Sequence, residues 1–186
     1  MKTIFLSGSR AISRLNPQIR ERLENITSQS FNIIVGDANG ADKAIQRFLS
    51  ESRYSNVTVY CSGARCRNNL GSWKIRSVDV PPSVRGRDFY TRKDRAMAEN
   101  ADYGFVLWDG KSPGSLENVI TLLKRDKKAL VYFSPDKEFV TISSVDDLRH
   151  LLWRTTSEAR EQIEKKIQLD RALKELTQGV QAEMSF

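Results

Sequence analysis

The chain has 186 residues, which is enough for one domain with a hydrophobic core and too few for two comfortable ones. With 39% hydrophobic and 28% charged residues, its composition is that of an ordinary globular protein, and no stretch approaches the roughly 20 apolar residues that span a bilayer. The formal net charge of +7 favours anionic partners, which include nucleotides, nucleic acids and acidic surfaces.

Apolar runs with the length of buried strands alternate with helix-like stretches. The predicted strands cover residues 3–6, 31–35, 57–60, 103–107 and 129–133, and residues 138–142 are a candidate for a short edge strand. The predicted helices cover residues 17–28, 41–52, 89–100 and 115–125, while the aperiodic stretch 61–88 is predicted to be a long loop. The alternation predicts an α/β fold with a mainly parallel sheet of five strands.

The sequence changes character after residue 142. Ser144 and Thr156 each lie in a pattern typical of a capping box, so we expect one helix ending near Trp153 and a second, highly charged helix ending near Thr177. We therefore divide the chain into a domain over residues 1–142 and a C-terminal helical extension over residues 143–186. The extension either packs on the domain or makes a homo-oligomer contact, and its spacing favours neither.

The cysteine and histidine content argues against a metal centre. Cys61 and Cys66 are predicted to be reduced thiols in a loop, and the single histidine, His150, is predicted on a helix surface. No metal and no cofactor are predicted. The first residues favour a strand over a signal peptide, so the predicted location is the cytoplasm.

Three glycine-bearing segments follow three of the predicted strands, at residues 7–10, 36–42 and 108–115. In an open α/β sheet such loops gather at the carboxyl ends of the strands, where ligands bind. Glycine allows a close approach of the backbone to a ligand, and a helix N-terminus offers free N–H groups to a phosphate. Together the three loops predict a site for a nucleotide or a similar phosphorylated ligand.

These loops resemble those of the SLOG superfamily of Rossmann-like nucleotide-binding proteins, in particular its YspA-like branch. The resemblance spans residues 3–133. The motifs that carry it are Gly8-Ser9-Arg10, Gly36-x-Ala38-x-Gly40-Ala41-Asp42, Arg92-Lys93-Asp94-x-x-Met97 and Phe105-x-x-Trp108-Asp109-Gly110-x-Ser112-x-Gly114-Ser115. The resemblance implies a Rossmann-like three-layer domain.

Relatives within this superfamily imply different functions. Cytokinin-activating phosphoribohydrolases cleave nucleoside monophosphates with a catalytic glutamate, and this chain has Asn118 at the matching position, with Glu117 one residue earlier. Relatives of the DNA-processing protein A type share the Gly-Ser-Arg and Gly-x-Ala-x-Gly-x-Asp motifs and bind single-stranded DNA. Other branches sense nucleotides derived from NAD.

The candidate site residues come mainly from the three loops. Arginine suits bidentate phosphate contacts, and serine hydroxyls and amides near a helix start suit the same group. The candidate ligand contacts are Gly8, Ser9, Arg10, Gly36, Asp37, Gly40, Ala41, Asp42, Arg92, Trp108, Gly110, Ser112, Gly114 and Ser115. Each has a structural alternative, such as a helix cap, a turn or a cover for the sheet edge. The candidate catalytic carboxylates are Asp94, Asp109 and Glu117.

Two main functions follow from these residues. The first is binding of a nucleotide or nucleotide-derived ligand, such as a nucleoside monophosphate or an ADP-ribose-like molecule, with or without hydrolysis of its N-glycosidic bond. The alternative is binding of single-stranded nucleic acid, because the segment 65–95 is rich in basic residues and contains Trp73, Phe89 and Tyr90. A third hypothesis is an interaction module that self-associates through the C-terminal helix.

Overall fold

The structure, a computed structural model, describes residues 1–183, with side chains to residue 178. Seven strands alternate with helices over most of the chain. The strands are β1 (Thr3–Gly8), β2 (Asn32–Gly36), β3 (Val57–Ser62), β4 (Lys74–Val78), β5 (Tyr103–Trp108), β6 (Ala129–Phe133) and β7 (Glu138–Ile142). The helices are α1 (Pro17–Ser28), α2 (Ala41–Glu51), α3 (Gly86–Asn100), α4 (Pro113–Leu123), α5 (Val145–Trp153), α6 (Ser157–Ile167) and α7 (Leu169–Glu183).

The strands form one sheet in the order β4-β3-β2-β1-β5-β6-β7, and only β7 runs antiparallel to its neighbour among the described strands. The chain moves outward from β1 to β4 and then crosses back to place β5 on the other side of β1. The strand order therefore reverses between β1 and β5, as in a Rossmann-like fold. Ligands of such folds bind outside the carboxyl ends of the strands at this point.

Two hydrophobic clusters cover the two faces of the sheet, as the alternation of side chains along β1 shows. Phe5 belongs to a cluster with α3, α4 and the C-terminal helices, whereas the next residue, Leu6, belongs to a cluster with α1 and α2. The helices therefore form a layer on each side of the sheet. This arrangement gives the three layers that the resemblance implied.

The prediction of five strands was wrong in number. The sheet gains β7, which was a candidate edge strand, and β4, which lies inside the predicted loop 61–88. Lys74, Ile75, Arg76 and Ser77 of β4 are exposed, so this edge strand lacks the apolar run that marks the buried strands. Helix α3 also begins at Gly86, three residues before its predicted start.

The cysteines of the same segment differ from their predicted state. Cys61 and Cys66 form a disulfide, with their Cα atoms 5.2 Å apart. The prediction of two reduced thiols was therefore wrong, because β3 and the following turn bring the two residues together.

The C-terminal segment forms three helices where two were predicted. The capping box at Ser144 is confirmed, since the Ser144 hydroxyl accepts from the amide of Asp147 and the Asp147 carboxylate accepts from the amide of Ser144. Gln168 adopts a left-handed conformation with φ of 51° and separates α6 from α7. Leu148, Ile163 and Leu176 join the same buried cluster as α3 and α4. A domain boundary at residue 142, self-association and a cytoplasmic location stay predictions.

No helix within the described residues is both long and apolar enough to cross a membrane.

Candidate functional site

A cavity of about 630 Å³ opens where the strand order reverses, between the carboxyl ends of β1 and β5. Its walls come from the loops after these two strands, from the N-terminal halves of α3 and α4, and from the end of α6. All three glycine loops contribute residues to it, although the second loop contributes only Ala38 and Asp42. Of the predicted ligand contacts, the cavity is lined by Gly8, Ser9, Arg10, Asp42, Ser112, Gly114 and Ser115.

Hydrogen bonds between the first and third loops hold the cavity mouth together. The Ser9 hydroxyl donates to Asp109 Oδ2 over 2.7 Å, and the Ser9 amide donates to the carbonyl oxygen of Leu107 over 2.8 Å. Asp109 Oδ1 accepts from the amides of Lys111 and Ser112 over 3.1 and 2.8 Å. Oδ1 of Asp109 therefore stabilises the turn of its own loop and Oδ2 ties that loop to the first one, which is the structural alternative to a catalytic role.

The start of α4 presents unoccupied amides to the cavity. Pro113 is its first residue, and the side chain of its N-cap, Ser112, makes no capping hydrogen bond. The amides of Gly114 and Ser115 have no acceptor within the described chain. The Ser115 hydroxyl donates to Ser112 Oγ over 3.3 Å, so both hydroxyls stay near these amides. The positive end of the helix dipole lies here, which suits an anionic group.

The start of α2 is instead covered by the protein itself. The Ala41 amide donates to the carbonyl oxygen of Ser9 over 3.1 Å, and the Ala38 amide donates to Asp42 Oδ2 over 3.1 Å. Gly40 has φ of 83°, and a Cβ atom there would collide with the backbone of Arg10. The second glycine loop is therefore built to receive the first loop closely.

A buried lysine with two aspartates forms part of the cavity wall. Lys93 of α3 is 3% exposed, and its Nζ lies 2.7 Å from Asp94 Oδ1 and 3.9 Å from Asp42 Oδ2. Gly36 makes this possible, because a Cβ atom there would collide with the Asp42 carboxylate and the Lys93 ammonium group. Gly36 thus makes room for the ion pairs and does not line the cavity.

The pKa values in this cluster follow from burial and charge. Burial raises the pKa of Asp42 to about 6, and the positive charge of Lys93 only partly opposes that shift. Burial alone would lower the pKa of Lys93, but Asp94 and Asp42 outweigh it, so the pKa of Lys93 is raised. Lys93 therefore keeps its charge inside the protein.

Asp37 anchors the segment that follows β3 and does not face the main cavity. Its carboxylate accepts from Arg67 Nη2 over 2.6 Å, from Arg67 Nε over 3.1 Å and from the Arg67 amide over 3.0 Å. Burial acts to raise the pKa of Asp37, yet the hydrogen bonds from Arg67 outweigh it, so the pKa is lowered. The carboxylate of this candidate ligand contact is thus engaged in an ion pair within the protein.

Basic residues outnumber acidic ones around the cavity. Six basic residues line it against three acidic ones, namely Arg10, Arg67, Arg87, Lys93, Lys111 and Lys166 against Asp42, Asp94 and Asp109. Within the described side chains, Arg10, Lys111 and Lys166 have no ion-pair partner. Tyr90 lies among these cations, with its ring centroid 4.5 Å from Arg67 Cζ and 5.9 Å from Arg10 Cζ.

Several predicted site residues lie away from this cavity. Trp108 is 1% exposed, donates from Nε1 to the Ser112 carbonyl oxygen and packs on Phe133, so its ring is not available to stack on a base. Arg92 points to solvent from the exposed side of α3. Glu117 pairs with Arg87 over 2.5 Å. The remaining candidates that do not line the cavity are Gly40, Ala41 and Gly110.

The sequence interpretation missed other residues of the cavity wall. Lys93 could have been found, because it lies four residues before the buried Met97 and therefore on the buried face of α3. Asn118, at the position of the phosphoribohydrolase glutamate, donates to Ser7 Oγ over 3.1 Å. Arg67 was part of the basic segment 65–95 but had no motif of its own, and Lys166, from the C-terminal helices, carried no local signal.

Comparisons with known proteins bear on the fold. No protein-family model matches the sequence, and no curated protein matches it. Among solved structures, the chain is similar to DNA processing protein A from Helicobacter pylori, with a TM-score of 0.53 and 15% sequence identity. The match covers 70% of this chain and 64% of that one, so it spans less than two thirds of that protein.

At this identity the likeness shows the α/β fold alone. The neighbour is described for its single-stranded DNA binding mode. The similarity shows a fold shared with DNA processing protein A, and the family relation to it stays a prediction. The assignment to the SLOG superfamily and the link to phosphoribohydrolases stay predictions.

Proposed function

We propose that this protein binds single-stranded nucleic acid, with one backbone phosphate at the start of α4. The observation that carries the proposal is the set of three cations without ion-pair partners in the described chain, Arg10, Lys111 and Lys166, around a cavity that also holds two amides without acceptors. A phosphate is the group that satisfies both kinds of donor at once.

The side chains around the cavity also suit the bases of a strand. Tyr90 is 37% exposed at the cavity wall. Proteins that hold single strands combine basic grooves for the phosphates with aromatic rings for the bases. An exposed aromatic ring beside guanidinium groups is therefore favourable for an unpaired base.

The fold and the charge of the chain support the same proposal. The structural neighbour is a protein known for binding single-stranded DNA, and the present chain carries a formal net charge of +7. Electrostatic attraction of this kind depends strongly on salt, because the protein releases cations that are condensed on the nucleic acid.

The experiment is a titration of fluorescently labelled oligothymidylate with the protein, followed by anisotropy at a series of salt concentrations. We expect binding that weakens as salt rises, and a triple variant Arg10→Gln/Lys111→Gln/Lys166→Gln should lower the salt slope by about 2, at about 0.7 per phosphate contact. No binding by the wild type, even at low salt, would overturn the proposal.

A matched control removes the same amount of charge elsewhere. Arg47, Lys128 and Lys174 are exposed, and none of them lines the cavity or forms an ion pair within the described chain. When all three are changed to glutamine, the salt dependence of binding should keep the wild-type slope to within about 0.7, the contribution of one phosphate contact. Equal losses in both triple variants would show that net charge, and not the cavity, holds the strand.

A second candidate function is the binding of a free nucleotide or a nucleotide derived from NAD, with or without cleavage of its N-glycosidic bond. The cavity volume of about 630 Å³ is in the range of small-molecule sites, which favours this candidate. Hydrolysis would need a carboxylate, and Asp94 is the best placed, because its Oδ2 makes no hydrogen bond within the described chain.

A panel of nucleoside monophosphates, NAD and ADP-ribose tests this candidate, with released base measured by chromatography. Hydrolysis predicts base release that Asp94→Asn abolishes. Thermal shifts without base release would instead identify a binding protein. The absence of both base release and a thermal shift would exclude the candidate.

A further inference from the structure

A second cavity of about 370 Å³ adjoins the first, and Arg67 and Tyr90 line both. The two side chains therefore form a shared wall between two spaces. The far side of the second cavity is formed by residues of the loop that the Cys61–Cys66 disulfide closes, namely Ser62, Ala64 and Arg65. The proposed function uses only the first cavity, so the second is unassigned.

The second cavity is held in shape from three sides. The disulfide fixes both ends of the loop, and Gly63 turns within it at φ of 74°. A Cβ atom on Gly63 would lie 3.1 Å from the ring of Phe89, so the loop approaches α3 closely. On the third side the Asp37 carboxylate fixes the guanidinium of Arg67 through two hydrogen bonds.

Ser62 provides an independent sign that a ligand belongs here. Its side chain is more than nine-tenths buried, and its Oγ atom has no hydrogen-bond partner within the described chain. Buried polar atoms are nearly always hydrogen-bonded, since burial without a partner is unfavourable. The Oγ atom is closed to solvent in the orientation seen here, and a rotation about the Cα–Cβ bond of Ser62, which lines the second cavity, would let a ligand supply the missing partner.

The charge of the second cavity indicates the kind of ligand. Arg65 is exposed and makes no ion pair or side-chain hydrogen bond with the described residues, whereas the charge of Arg67 is balanced by Asp37. One uncompensated guanidinium beside a hydroxyl suits a phosphate ester.

We propose that the second cavity binds the nucleotide next to the one held in the first cavity, with its phosphate on Arg65 and Ser62. This inference rests on the proposed function and deepens it. The ligand is then a chain of at least two nucleotides that passes over the wall formed by Arg67 and Tyr90, and a mononucleotide occupies only half of the site.

Competition against labelled oligothymidylate tests the proposal. The competitors are thymidine 5′-monophosphate and the 5′-phosphorylated dimer and tetramer of thymidylate. We expect the dimer to bind the wild type at least about tenfold more tightly than the monophosphate, and the tetramer to add a smaller factor.

Two variants test whether residues of the second cavity cause the tighter binding of the dimer. Ser62→Ala and Arg65→Ala should each reduce the affinity for the dimer by about three- to tenfold, while the affinity for the monophosphate stays within about twofold of the wild type. Ser62→Ala removes a hydroxyl that has no partner in the described chain, so the thermal unfolding temperature should not fall. The controls are Ser55→Ala, two residues before the start of β3, and Lys174→Ala, on α7.

The outcomes separate the two proposals. Tight binding of oligothymidylate with equal dimer affinities in wild type, Ser62→Ala and Arg65→Ala would overturn the second subsite and leave the proposed function intact. An equal loss of monophosphate and dimer affinity in the variants would also overturn it. Failure of the wild type to bind any oligothymidylate would overturn both.

Discussion

The starts of α2 and α4 look alike in sequence and differ in the structure. Both follow a strand and a glycine-bearing loop, and both lie at the carboxyl edge of the sheet. At α2 the first loop covers the helix start, the Ala41 amide donates to Ser9, and Gly40 has no room for a side chain. At α4 a Cβ atom on Gly114 would meet no atom within 4 Å.

This difference separates two reasons for glycine near a helix start. Gly40 is needed by the protein, because another part of the chain occupies the space beside it. Gly114 is not needed for packing, so its small size leaves open the space in front of the free amides. A glycine-rich motif alone does not tell these cases apart, and only the open start offers a place for an external anion.

The largest effect is expected from Gly40→Ala. The substitution should lower the free energy of unfolding by about 3 kcal/mol or more, since the backbone of Gly40, with φ of 83° and ψ of −127°, is strained for alanine by about 1–3 kcal/mol and overpacking adds a similar amount. Urea unfolding followed by circular dichroism measures it. A decrease in the free energy of unfolding below about 1 kcal/mol would show that the first loop moves away at little cost and does not cover the start of α2 tightly.

The buried carboxyl of Asp42 in the first turn of α2 predicts a pH dependence. Its pKa is raised from 3.8 to about 6, so the folded state binds this proton more tightly than the unfolded state. The resulting stabilisation is present below about pH 4 and is lost as the pH rises through about 6, with a limit of about 3 kcal/mol.

Comparison with Asp42→Asn isolates this contribution from all other groups. The stability of the variant relative to the wild type should increase by up to about 3 kcal/mol between about pH 4 and about pH 7. Urea unfolding at each pH gives the difference. A constant difference over this range would mean that Asp42 is solvated and that the cluster with Lys93 is open to water.

Asp37, on the same loop, should contribute to stability with the opposite dependence on pH. Hydrogen bonds from Arg67 lower its pKa, so its stabilisation is present at neutral pH and is lost as the pH falls through its folded-state pKa. Asp37→Asn should cost about 2 kcal/mol at neutral pH, with the cost shrinking in acid. A cost that is independent of pH would argue against the ion pair with Arg67.

The sequence predicted the elements that carry a strong periodic pattern and the edge of the sheet where the loops meet. Helix α1 begins and ends at its predicted residues, and the central strands lie within about a residue or two of theirs. The exposed strand β4 was missed because Ile75 and Val78 are separated by Arg76 and Ser77, so this edge strand has no continuous apolar run. The break at Gln168 was missed because glutamine gives no signal for a left-handed turn.

The site was predictable only in outline for a related reason. Local motifs named the loops, but the partners of their side chains come from distant positions, such as Arg67 for Asp37 and Lys93 for Asp42. These long-range pairs decide which candidates face the cavity and which form contacts within the protein. Local motifs do not show which distant residues will pair.

The smallest change in stability is expected from Gly114→Ala, and it tests the open start of α4 most directly. Alanine fits the helix and meets no neighbouring atom, so the free energy of unfolding should stay constant or rise by up to about 1 kcal/mol. Binding of oligothymidylate should weaken, because the methyl group projects into the space that we propose for the phosphate. Anisotropy and urea unfolding on the same sample compare the two effects.

The opposite signs of these two effects make the test specific. A variant that loses affinity because it is misfolded would also lose stability, whereas Gly114→Ala should lose affinity while its stability is kept. Unchanged affinity with unchanged stability would mean that the phosphate lies elsewhere, and the free amides of Gly114 and Ser115 would then be hydrated by solvent and not part of the binding site.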